Sequence, residues 1–171
     1  MTAAPMSREL TADDARQSLS AHAAARGAEI FAKFGPCAGW NELARILEDR
    51  ACVRYPCKVA FDPGPLQPGE CAYARPNGAK PEEGFVIHIH PLFMTRPDRV
   101  ARLALYQLVV VNYGNFASPE DAEVFGAAAL GISREEYYQS LCAMADWLEG
   151  EKAAGSQEGT EKSEKSEKSE V

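Results

Sequence analysis

Pro97-Asp-Arg-Val-Ala-Arg-Leu-Ala-Leu-Tyr-Gln-Leu-Val-Val-Val-Asn112 is the stretch on which the fold turns. Proline at the first position and an acid in the first turn mark a helix start. The residues that follow are apolar nearly all round, and such a helix belongs in the middle of a domain rather than on its surface. Tyr113-Gly114 stops it. Leu103, Leu105, Leu108, Val109 and Val111 are the expected core. Tyr106 and Gln107 are polar groups on a buried helix, expected to hydrogen-bond with their surroundings or with a strand backbone.

Two helices follow. Ser118-Pro119-Glu120-Asp121 combines a cap, a first-position proline and first-turn acids, and Gly131 closes that helix. Ser133 with Glu136 forms a capping box for the last helix, which Gly150 is expected to end. Before the central helix lie three short runs with strand character. Cys57–Phe61 alternates and is closed by Asp62-Pro63-Gly64-Pro65; Glu70–Arg75 is closed by Pro76-Asn77-Gly78. Phe85–His90 alternates most clearly, with Phe85, Ile87 and Ile89 on one face and Val86, His88 and His90 on the other. Short loops between consecutive strands predict an antiparallel meander. At the start, Thr11 with Asp14 resembles a capping box for an alanine-rich helix to about Lys33, ended by Gly35-Pro36. Trp40, Leu43, Ile46 and Leu47 give a second helix over Trp40–Arg50. The expected class is α+β: N-terminal helices, a small three-stranded antiparallel meander, then three C-terminal helices with the first buried.

Residues 1–150 read as one domain and 151–171 as a tail. The tail carries three Glu-Lys-Ser repeats and no aromatic or branched aliphatic residue before Val171, so disorder is expected, with transient helix from Glu–Lys neighbours as the alternative. Four Lys and six Glu fall in the tail, so the net charge of −7 leaves −5 on residues 1–150. An acidic body lacks the basic footprint of nucleic-acid binding and is repelled by anionic membranes. No apolar run approaches a membrane span, and the N-terminal residues lack a signal-peptide core, so a cytoplasmic protein is expected. Five cysteines, Cys37, Cys52, Cys57, Cys71 and Cys142, form no CxxC pair and read as small buried hydrophobes.

Chemistry-bearing patterns are few. His88 and His90 stand two apart on one strand face, so both imidazoles can point at one metal ion. A third ligand would come from Glu82, Glu83 or Cys71. No phosphate-binding glycine loop and no G-x-S-x-G is present. Arg50, Arg54 and Lys58 cluster at the strand entry, too few for a nucleic-acid patch. Tyr137 and Tyr138, near Trp147, offer either an aromatic surface or packing for the last helix.

Three strands, a buried helix and then a second helix rich in Glu and small residues resemble, over residues 52–131, a minimal zincin metallopeptidase domain. In that family the buried helix carries HExxH, where two His at i and i+4 hold zinc and Glu activates the bound water. The best alignment here is Tyr106-Gln107-Leu108-Val109-Val110, in which Tyr106 and Val110 replace the ligands and Gln107 replaces the base. Valine binds no metal, and a glutamine amide takes no proton from water. Glu123 falls where the third ligand is expected. The resemblance thus implies a zincin-like frame without the zincin reaction: an interaction or scaffold domain with no cofactor, taking a protein or extended peptide at the edge of strand 85–90. The alternative is a metal-dependent hydrolase or other metalloenzyme holding zinc with His88 and His90.

Overall fold

Thr11 opens the first element as its capping box requires, its Oγ1 accepting from Asp14 N at 3.1 Å while the Asp14 carboxylate accepts from Thr11 N at 3.0 Å. The helix that follows, α1 (Ala12–Phe34), leads through Gly35 to α2 (Trp40–Glu48). Then come β1 (Cys57–Ala60), β2 (Ala72–Pro76) and β3 (Phe85–Ile89). The remaining elements are α3 (Pro97–Tyr113), α4 (Pro119–Leu130) and α5 (Arg134–Glu167). The class is therefore α+β. This computed structural model describes Glu9 and residues 11–167, with side chains to Ser156. Residues 1–8 and 10, part of the stretch read as lacking a signal peptide, and residues 168–171 of the tail lie outside the described residues.

The sheet is not the meander expected. Its order is β1-β3-β2, with β3 parallel to β1 (Val59 opposite Ile87) and antiparallel to β2 (Ala74 opposite Ile87). The cause is the segment between β1 and β2. It turns twice, with Leu66 N bonded to Pro63 O and Glu70 N to Gln67 O. β2 thus lies one strand beyond β1, and the 77–84 hairpin lays β3 into the space between. The β3 alternation holds: Phe85, Ile87 and Ile89 are buried, while Val86 and His88 are half-buried on the opposite face.

α3 packs against β2 and β3 on one side and α4 on the other, and α1 runs along α4. Nine of its residues are buried, among them Leu105, Leu108 and Val109 at 0% exposure. Each of these three contributes roughly 1.5–3 kcal/mol by burial. α1 can approach α4 closely only because position 27 is glycine: a Cβ there would lie 2.9 Å from the Ala128 Cβ and closer still to the Phe125 carbonyl. Gly131, in the left-handed conformation at φ +69, reverses the chain with Ile132 N bonded to Ala127 O at 3.1 Å, and returns α5 onto α4.

Gly150 does not stop α5, which continues to Glu167. A helix-interior glycine costs only ~1 kcal/mol, and the flanking Ala, Glu and Lys favour the helix, the last two adding near-neighbour pairs. Tyr137 and Tyr138 divide between core and surface. Tyr137 is 0% exposed with its hydroxyl donating to Arg102 O at 2.7 Å, whereas Tyr138 is 51% exposed. Trp147 stacks on Phe93 and is flanked by the guanidiniums of Arg96 and Arg99.

Candidate functional site

Between β2, α3, α4 and α5 lies a cavity of about 290 Å³. Its wall includes Tyr106, Gln107 and Glu123, three of the residues singled out in the sequence, together with Cys71, Tyr138 and Cys142. α3 supplies the first two from adjacent positions on the side facing β2. α4 supplies Glu123 because Ser118 and Asp121 fix the helix start through a reciprocal capping box. Val110, the fourth position of the zincin alignment, is set apart: it is half-buried and lines a different cavity beside Arg54, Tyr55 and Phe85.

Gln107 and Glu123 already have partners within the protein. Gln107 Oε1 accepts from Ala74 N at 3.1 Å, and its Nε2 donates to Ala72 O at 3.2 Å. The side-chain amide thus acts as a short piece of strand against the outer edge of β2, the kind of backbone tie expected for a polar residue on a buried helix. Glu123, 8% exposed, accepts from Arg134 Nε at 2.7 Å. A second acid, Glu120, stands 3.8 Å from the same guanidinium. Arg134 therefore supplies the positive charge that compensates the buried Glu123 carboxylate.

Burial pushes the Tyr106 hydroxyl above its ordinary range, and the nearby Glu123 charge adds to the shift. Burial also holds the Cys71 thiol up at about 11. The Tyr138 hydroxyl is raised chiefly by its hydrogen bond with Cys142. At neutral pH the cavity offers a neutral phenol and a protonated thiol, with no base free to activate either.

His88 and His90 lie elsewhere. His88 sits on the outer sheet face, opposite Ala60 on β1 and Tyr73 on β2. Its Nδ1 is buried without a hydrogen-bond partner, 4.0 Å from the Asp62 carboxylate. His90 Nδ1 accepts from Leu92 N at 3.3 Å, capping the turn Pro91–Phe93. Of the expected third ligands, Cys71 neighbours His90 through the backbone, where His90 N donates to Cys71 O at 2.9 Å. Glu82 and Glu83 sit in the turn before Phe85, at the other end of β3. Among the described residues no group of three His, Cys, Asp or Glu side chains is placed to hold a metal ion.

The expected peptide site also needs correction. β3 is hydrogen-bonded on both sides, so strand 85–90 has no free edge. The edges belong to β1 and β2, and Gln107 already occupies part of the latter. Tyr138 entered the sequence reading only as an aromatic surface or packing residue, and Cys142 only as a small buried hydrophobe, although it is exposed; Arg134 was not singled out. The signal for Arg134 was its place in the first turn after Gly131, where a reversed chain returns a side chain to α4. No helix among the described residues is long and apolar enough to cross a membrane. Comparison with protein-family models, curated proteins and solved structures finds no match.

Proposed function

We propose that this chain is a non-catalytic interaction domain on a zincin-like frame, its former reaction chamber reduced to a binding cavity. The observation that carries this reading is the joint engagement of Gln107 and Glu123. They meet at one cavity, as the resemblance implies for the two site helices, and both are consumed by internal partners. An extended partner would add to the sheet at β1, the edge opposite the one bound by Gln107.

The second reading, a metalloenzyme using His88 and His90, draws on the orphaned His88 Nδ1 beside Asp62. Elemental mass spectrometry of the purified full chain separates the two. The interaction domain requires less than about a tenth of an equivalent of zinc or iron, since a resident site fills close to stoichiometry. One equivalent that disappears in a His88→Ala, His90→Ala variant overturns it in favour of the metalloenzyme.

A further inference from the structure

At the C-terminal end of α3, away from Gln107, a second cavity of about 300 Å³ gathers His22, Arg26, Arg50, Cys52, Arg54 and Tyr113. Buried Asn112 builds it, accepting from Arg54 N and donating to Cys52 O, both at 2.9 Å. These two bonds pin the 52–54 loop to the helix end, so that Arg50 and Arg54 face the side chains of His22 and Arg26, one turn apart on α1. The Tyr113 ring fixes His22 edge-on at 5.6 Å.

The charge here runs against that of the molecule. Three guanidiniums line the cavity in a chain of net −7. Glu29 pairs with Arg26 at 3.0 Å, and the Asp49 carboxylate is taken by Lys33. Arg50 donates only to the Leu47 carbonyl, and Arg54 lies over the Tyr55 ring; among the described residues neither has a carboxylate partner. Two unpaired arginine forks at one opening are suited to a bidentate oxyanion.

A third cavity, of about 380 Å³, shares Arg54, Asn112 and Tyr113 with the basic one. Its other walls are apolar and aromatic, among them Leu19, Tyr55 and Phe85. At its rim the turn Gly114–Phe116 holds Phe116 outward at 91% exposure. We infer that the two cavities form one site for a small amphipathic organic anion. Its phosphate or carboxylate head lies among Arg26, Arg50 and Arg54, and its flat apolar body lies against Tyr55 and Phe116. This inference does not rest on the zincin-like reading.

Titration of the full chain, followed by NMR and calorimetry, tests it with phenyl phosphate and benzoate as probes, with inorganic phosphate and phenol as the halves of the first and acetate and benzene as those of the second. At least one whole probe should bind more tightly than either of its halves, and the better probe identifies the head group. Arg50→Gln with Arg54→Gln should weaken that probe by about tenfold or more, one lost charge-assisted contact being worth roughly that factor. Arg26→Gln serves as the second variant should the double one fail to fold. Phe116→Ala should weaken the whole probe and leave inorganic phosphate unchanged. Failure of both probes to bind, or affinity unchanged in the arginine variants, overturns the proposal.

Discussion

Replacing Gln107 by Leu tests whether this residue is a structural tie. Leucine keeps nearly the same volume, so cavity formation adds little. What is lost is the pair of hydrogen bonds at 3.1 and 3.2 Å to the backbone of Ala74 and Ala72, which are 2% and 6% exposed. An orphaned buried backbone group costs about 1–3 kcal/mol, so two give roughly 2–6 kcal/mol. Ala72 borders the cavity, where water can reach the strand edge, which places the expected loss in the lower half of that range, about 2–4 kcal/mol. Urea denaturation read by circular dichroism measures it, with an unchanged denaturant slope confirming that the folded state is intact. Gln107→Glu should lose at least as much at neutral pH, because one carboxylate oxygen then faces the Ala72 carbonyl that the amide donated to, and should recover stability at acid pH, where the protonated carboxyl can donate again. A loss below about 0.5 kcal/mol for the leucine variant would refute the argument, since that is the range of an indifferent surface change.

Other outcomes follow from the same geometry. Gly27→Leu should destabilise the fold by about 3 kcal/mol or more, because α1 must lift from α4, outweighing the ~1 kcal/mol that leaving glycine adds to a helix; a melting temperature equal to wild type would contradict the close crossing. Burial lifts the Cys37, Cys57 and Cys71 thiols to about 11, 12 and 11. Exposed Cys142 should therefore be alkylated first near pH 8, and peptide mapping that found Cys57 or Cys71 modified fastest would count against the packing. Burial depresses the His90 pKa below its ordinary 6.5, and the charge of Lys152 adds to the effect. The unfolded chain then binds this proton more readily, so stability is complete above pH 6.5 and declines as pH falls through the folded value. His90→Asn should flatten that part of the stability–pH curve, and an unchanged slope would remove His90 as its source.

Helix ends were legible because they are local events. Thr11 and Ser118 each announce a reciprocal bond with a residue three positions on, and Gly131 satisfies the carbonyls behind it wherever the helix is placed. The centrality of α3 was legible from its missing polar face, and the two faces of β3 from its alternation. The sheet order was not. Strand pairing depends on where a proline- and glycine-rich connection delivers the chain, and turn residues specify a change of direction without its span. The stop expected at Gly150 failed because glycine only weakens a helix whose neighbours favour it. At the site, Gln107 and Val110 already argued against the zincin reaction, and the sequence singled out both Gln107 and Glu123. Their partners were hidden, since Ala72, Ala74 and Arg134 reach them through the fold rather than through spacing.

The position of β3 also governs how the molecule can be assembled. The last strand synthesised is the middle one, so neither earlier strand has a hydrogen-bonding partner until residues 85–89 exist. A nascent chain ending before Phe85 carries two lone strands and helices whose apolar sides have nothing to cover. The central helix begins at Pro97, shortly after β3 ends, so sheet closure and the arrival of its main packing partner are nearly simultaneous. The domain therefore has no stable half: division anywhere before β3 leaves two pieces that must find each other to fold, and cotranslational folding is postponed until the latter part of the chain is made.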